Sequence, residues 1–158
     1  MKTIASFTID HIRLLPGLYV SRKDEVGGNR LTTFDVRLTA PNREPVLSTG
    51  AIHAIEHIGA TYLRCDSGLA SQTIYWGPMG CRTGFYAIFS GDLTPQDIVD
   101  EMIHLFQAVC DHTGPIPGAS PEGCGNYSDM DLPAAQEISR KYLEILTHLD
   151  TAHSSYPA

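Results

Sequence analysis

The chain has 158 residues, 42% hydrophobic and 18% charged, which supplies one core, is short for two, and is too apolar for a disordered tail. With 18 acidic against 11 basic residues the formal net charge is -7, and no cationic run is longer than Arg22-Lys23 or Arg140-Lys141, so nucleic acid and anionic membrane are excluded as first readings of its partner. No window holds the roughly 20 apolar residues of a membrane span, and Met1 to Asp10 lacks an apolar export segment. The expected location is the reducing cytoplasm, where Cys65, Cys81, Cys110 and Cys124 are catalytic, metal-bound or packed rather than disulfide-bonded.

The first forty residues read mainly as strands. Ala5, Phe7 and Ile9 alternate with Ser6, Thr8 and Asp10, and Thr32, Phe34, Val36 and Leu38 alternate with Thr33, Asp35, Arg37 and Thr39, the period of a half-buried strand. Gly27-Gly28-Asn29 predicts a turn between the two, and Pro41-Asn42 closes the second. A helix is predicted from a cap at Ser48 or Thr49 to about Arg64, with Ile52, Ile55, Ile58 or Gly59, and Tyr62 on one stripe. Strand candidates at Thr73 to Trp76 and Thr83 to Phe89 flank the tight Gly77-Pro78-Met79-Gly80-Cys81 sequence. A second helix opens with Thr94 as cap, Pro95 at the first helical position and Asp97 three residues after the cap, carries Ile98, Met102, Leu105, Phe106 and Val109, and ends by Gly114-Pro115. A third begins near Asp131 and Pro133 and carries Ile138, Tyr142, Ile145, Leu146 and Leu149. This order lacks regular strand–helix alternation. It predicts a single α+β domain over residues 1–158, two layers deep, with helices on one face of a largely antiparallel sheet.

The strongest chemical signal is His53-Ala54-Ile55-Glu56-His57 inside the first predicted helix. Residues four apart on a helix lie one above the other, so both imidazoles can grip one metal ion, with Glu56 beside them as a base; this is the inverted zincin order. A catalytic metal usually takes three protein ligands and keeps a position open. Among the cysteines, Cys65 at the helix end is read as facing away or packing, and Cys110 as a core residue of the second helix. Cys124, in the loop Gly123-Cys124-Gly125-Asn126, is the favoured third ligand, since flanking glycines allow close approach and a thiolate suits a borderline-soft divalent ion. Cys81 occupies a glycine-lined turn beside Arg82. It is either a base or nucleophile or a turn cysteine that merely packs, and spacing alone does not choose. Arg37 is either a solvated strand residue or a cation for a carboxylate, and His104, His112, His148 and His153 read as surface residues.

Taken together, His53-Ala54-Ile55-Glu56-His57, Pro78-Met79-Gly80-Cys81-Arg82-Thr83-Gly84, Gly123-Cys124-Gly125, Phe34-Asp35-Val36-Arg37, Ser6 and Asp10-His11 resemble the LuxS family of S-ribosylhomocysteine lyases, in order and spacing over nearly the whole chain. The resemblance implies cleavage of the S-ribosyl-L-homocysteine thioether to L-homocysteine and 4,5-dihydroxy-2,3-pentanedione, the autoinducer-2 precursor. It implies a homodimer with active sites shared between subunits and Fe2+ as cofactor, zinc or cobalt being able to substitute. It implies His53, His57 and Cys124 as metal ligands, Cys81 and Glu56 as the acid/base pair, and Ser6, His11 and Arg37 around the substrate's amino-acid end. Tyr75-Trp76-Gly77 departs from the acidic, apolar and serine residues that many members carry there, which puts the ribose wall in question. The rival readings are an inverted-zincin metallopeptidase with Glu137 as third ligand, which leaves Cys81 and Cys124 idle, and a closed four-ligand structural metal module.

Overall fold

In the computed structural model, which describes residues 1–158, the segment expected to form the first strand is instead a 3-10 turn at Ala5–Phe7. Its apolar members Ile4 and Phe7 are exposed, so their alternation has no sheet to bury against. Asp10 then turns the chain, its Oδ1 accepting from the backbone N–H groups of Ile12 (3.0 Å) and Arg13 (3.2 Å).

The sheet begins with a strand that the sequence reading missed, β1 (Gly17–Val26), followed by β2 (Asn29–Arg37), β3 (Thr73–Pro78) and β4 (Gly84–Ser90). Strand order is β1-β2-β4-β3, all neighbours antiparallel. Gly27 and Gly28, both at positive φ, form the predicted turn, but they join β1 to β2. Three helices, α1 (Thr49–Cys65), α2 (Pro95–Asp111) and α3 (Leu132–Thr147), complete the α+β arrangement. Their starts follow their caps. Ser48 Oγ accepts from Ala51 N–H, Asp131 from Ala134 N–H, and Thr94 with Asp97 forms a reciprocal capping box that holds the Asp97 carboxyl below its ordinary range through the Thr94 backbone N–H.

The pleat sorts side chains to two faces. Leu18, Phe34, Val36, Phe85, Ala87, Phe89 and Trp76 join Ile55, Ile58, Met102, Phe106 and Tyr142 of the helices in the core. Trp76 stacks on Phe85, with ring centroids 4.7 Å apart and planes 1° apart, meets Phe106 of α2 edge-on, and lies against Gly59 of α1. A Cβ on Gly59 would lie 2.6 Å from Trp76 Nε1, so this glycine lets α1 lie directly on the indole. The opposite face carries Thr33, Asp35 and Arg37 of β2 across from Ile88, Tyr86 and Gly84 of β4. It is covered not by helices but by the chain's own ends: Tyr156 stacks on Tyr19 (centroids 4.9 Å apart), and its hydroxyl donates to Asp35 Oδ2 at 2.9 Å. Cys110, expected in the core, is half-buried at the α2–α3 seam, its thiol 3.8 Å from the Gln136 carbonyl; burial raises its pKa. No helix is long and apolar enough to cross a membrane.

Candidate metal centre and active site

His53 and His57 sit one turn apart on α1, on the edge of the helix left uncovered by the sheet, with ring centroids 4.9 Å apart. Cys124 reaches them from the loop between α2 and α3, its Sγ 3.3 Å from His53 Nε2. One ligand atom from each of His53, His57 and Cys124 lies within 4.8 Å of the others, and all three residues are partly buried. Two bonds of 2.0 and 2.3 Å meeting at a tetrahedral ion set their outer atoms about 3.5 Å apart, so the sulfur–nitrogen spacing suits a shared cation. The ring orientations agree. His57 Nδ1 faces the Pro117 carbonyl at 2.7 Å, which fixes Nδ1 as the protonated nitrogen and leaves Nε2 as the donor for a metal. Gly118, at φ +72, lies against that imidazole, where a side chain would stand 3.2 Å from Nδ1. Two imidazoles and one thiolate form a borderline-soft donor set, and the residues fit a divalent transition ion.

Glu56 and His57 line a cleft of about 280 Å³ together with Ala60, Thr61, Pro117, Gly118 and Gly123. The structure thus brings four of the expected site residues together. Glu137, the third ligand that a metallopeptidase reading requires, is exposed on α3, pairs with Lys141 at 3.6 Å and lines a different groove with Ser48 and Ala51.

The remaining candidates collect elsewhere. Cys81 is exposed on the tight β3–β4 turn, followed by Arg82 in the left-handed region at φ +59. The turn is held by Arg82 N–H to the Met79 carbonyl (3.0 Å) and tied to the segment before α1 by Leu47 N–H to the Arg82 carbonyl (2.9 Å). Cys81 Sγ lies 3.1 Å from Thr83 Oγ1 and 3.9 Å from Arg37 Nη1. Arg37 is not the solvated strand residue that period alone permitted. It is 2% exposed, its guanidinium donates to both oxygens of Asp35 (3.0 and 2.6 Å) and to Thr83 Oγ1 (2.6 Å), and the strand pleat turns it under the chain's C-terminal end. Burial opposes the Arg37 charge, but Asp35 outweighs it and holds the group above the ordinary guanidinium range. Burial and the same carboxylate raise Tyr86, across the strand from Asp35.

Ser6 lines a second cleft of about 350 Å³ on the outer sheet face with Ser21, Arg22, Thr33, Tyr75 and Tyr86, and His11 turns back on itself, Nδ1 2.8 Å from the Ile9 carbonyl. The Tyr75-Trp76-Gly77 departure divides between the faces: Trp76 is core, whereas Tyr75 is exposed and its phenol folds over Gly77 beside Ser6's cleft. Asp129 was missed by sequence reasoning. Its carboxylate stands 3.6 Å from His53 Nδ1, a placement that only the packing of the Tyr127–Asp129 turn on α1 creates. Of the four surface histidines expected, His104 and His148 are exposed, while His112 and His153 are half-buried.

Comparison with known proteins gives one consistent result. The family model described as S-Ribosylhomocysteinase (LuxS) matches residues 4–152. Curated proteins named S-ribosylhomocysteine lyase match from end to end. That of Phocaeicola vulgatus is 56% identical over 99% of this chain and 98% of its own length, that of Finegoldia magna 53% over 99% of each, and that of Desulfotalea psychrophila 53% over the full length of both.

Proposed function

The chain belongs to the S-ribosylhomocysteinase (LuxS) family, and from that premise we propose that it cleaves the thioether of S-ribosyl-L-homocysteine, releasing L-homocysteine and 4,5-dihydroxy-2,3-pentanedione. The observation that carries the reading is the meeting of His53, His57 and Cys124 beside the Glu56 cleft, in a chain matched over nearly its whole length. These three residues would hold one divalent ion, Fe2+, with zinc or cobalt able to replace it. When bound, the ion supplies Lewis-acid stabilisation of negative charge developing on a sugar oxygen.

The scissile bond joins sulfur to C5 of the sugar, and the substrate's carbonyl begins at C1. Sulfur can depart by β-elimination only when the carbonyl stands at C3, so two carbonyl migrations must come first. Each takes a proton from one carbon and returns it to the neighbouring carbon, while a second proton changes oxygen. Cys81, on its exposed turn, is assigned the carbon-bound protons, with the Arg37 guanidinium as a permanent cation 3.9 Å from its sulfur. Glu56, facing the cleft beside His57, is assigned the oxygen-bound protons. In the last step a base takes the C4 proton, its electron pair forms the C4–C5 double bond, the C5–S bond breaks, and the departing thiolate takes a proton from the Glu56 carboxyl. The two products together hold the atoms of the substrate, with no water consumed and no outside electrons.

Ser6, His11 and Arg37 are assigned to the amino-acid end of the substrate. Because Asp35 already occupies the guanidinium fork, Arg37 acts there as a fixed charge rather than through a second two-pronged grip. The metal group and the Ser6–Arg37 face lie on different sides of one chain. That division supports a homodimer whose second copy completes each site, as do Ile4 and Tyr75, exposed apolar side chains that line the outer-face cleft. The sequence expectation of a cytoplasmic enzyme accords with four unpaired thiols.

The test is to incubate anaerobically purified, iron-loaded protein with S-ribosylhomocysteine and measure free thiol. Homocysteine release in proportion to substrate is expected; its absence from metal-loaded protein overturns the reading.

A further inference from the structure

We propose that Asp129 is a positioning residue for the metal centre, an outer carboxylate that orients His53 and strengthens the hold on the ion; this rests on the metal reading of His53, His57 and Cys124. The two imidazoles are not equivalent in their surroundings. Each ligand histidine needs its second nitrogen fixed, because an imidazole that can rotate or change tautomer presents its lone pair only part of the time. For His57 the Pro117 carbonyl does this at 2.7 Å. For His53 the group facing Nδ1 is the Asp129 carboxylate, with Oδ2 at 3.6 Å, and Asp129 makes no other side-chain hydrogen bond or ion pair. At 3.6 Å the two groups are at ion-pair distance rather than hydrogen-bonded, and the proposal requires this partly exposed carboxylate to close on Nδ1 when the ion is bound.

Asp129 cannot be a fourth ligand in this arrangement. His53 Nε2 faces Cys124 Sγ at 3.3 Å, whereas Asp129 stands at Nδ1, on the other side of the ring. The placement is built by the backbone: the Asp131 N–H donates to the Gly50 carbonyl at 3.0 Å, and a Cβ on Gly50 would stand 2.7 Å from the Asp129 carbonyl oxygen. The first turn of α1, three residues before His53, is thereby locked against the Tyr127–Asp129 turn. Charge points the same way. Two neutral imidazoles and one thiolate leave a divalent ion with one net positive charge, and Asp129 neutralises it through the His53 N–H.

The test is competition between the protein and a chromophoric chelator for Zn2+, and the absorption of the Co2+ form, in wild type, Asp129→Asn, Asp129→Ala and Asp131→Ala. Asp129→Ala is expected to weaken Zn2+ binding about 10- to 100-fold while the thiolate-to-Co2+ charge-transfer band persists. Asp129→Asn, whose amide oxygen still accepts from Nδ1, is expected to lose less. Asp131→Ala, which removes only the cap of α3, is expected to lower the melting midpoint of the metal-free protein and leave affinity unchanged. Equal affinity in wild type and Asp129→Ala overturns the proposal, as does loss of the thiolate band or an equal loss in Asp131→Ala, since these mark a general loosening of the loop. Failure of the wild type itself to bind either ion overturns the metal reading instead.

Discussion

The two faces of the sheet are made by opposite means. On the helix side, burial is predominantly apolar: Phe34, Val36, Phe85 and Phe89 meet α1, α2 and α3, and the histidines stand at the margin of that packing. On the outer side the same β2 strand buries Asp35 and Arg37, 1% and 2% exposed, as a two-pronged pair sealed by Tyr156 and Tyr19. The first face stabilises by excluding water from hydrocarbon. The second holds the Arg37 guanidinium 3.9 Å from the Cys81 sulfur, paired with a buried carboxylate at a desolvation cost. Under the proposed function, stability and chemistry are divided between alternate residues of one strand.

The comparison is broken most severely at the metal margin. Cys124→Ala is expected to abolish stoichiometric metal binding and homocysteine release together, read by metal analysis and thiol assay, while far-UV circular dichroism stays unchanged. Cys81→Ala is expected to keep the metal and to lower turnover by about 100- to 10,000-fold, the range for a removed general acid or base; thiol release at an ordinary rate ends its assignment.

The face-to-face contrast is sharpened by a set in β2. Phe34→Ala should lose about 3–5 kcal/mol of unfolding free energy, and Arg37→Met, which strands the Asp35 carboxylate, a similar amount. The double change Asp35→Leu with Arg37→Met should recover most of that stability, yet turnover should stay low. Recovery of both would show the pair to be scaffolding alone.

A smaller effect follows from Tyr19, pushed up to about 12 by burial first and then by Asp35. A raised phenol pKa means that the folded state favours the neutral form. Its contribution is therefore complete below pH 10 and is lost as pH rises from 10 towards 12, by about 2 kcal/mol in all. Urea midpoints measured across that window should fall, and Tyr19→Phe should flatten the slope. The smallest expected effect is Thr94→Ala, which removes the capping box of α2 far from either site and should cost about 1 kcal/mol in chemical denaturation with no change in turnover.

Legibility in the sequence follows the same division. The helices could be read because caps and a 3.6-residue stripe are local signals: Ser48, Thr94-Pro95 and Asp131 each stand where the chain turns helical. β1 was hidden because a bulge between Val20 and Arg22 breaks its alternation, and because its outer half, Arg22-Lys23-Asp24-Glu25, is the charged edge that protects an open sheet. The alternation at Ala5, Phe7 and Ile9 misled for the converse reason, since periodicity records what a segment could bury and not whether a partner is present. His53, Glu56 and His57 were legible as a single helical string. Cys124 was legible from its glycines, and its meeting with His53 was not, being a contact across 71 positions. Asp129 carried no signal at all, because its role depends on one loop docking on another element.

The absence of a side chain at Gly59 also has a reach beyond the core. Because the indole of Trp76 fills the space that a methyl group would need, Gly59→Ala acts as a wedge between helix and sheet, two residues along from His57. Such a wedge would tilt the platform from which both imidazoles project, so that an apolar change of one carbon, touching neither metal nor substrate, should be felt first as a leaking ion.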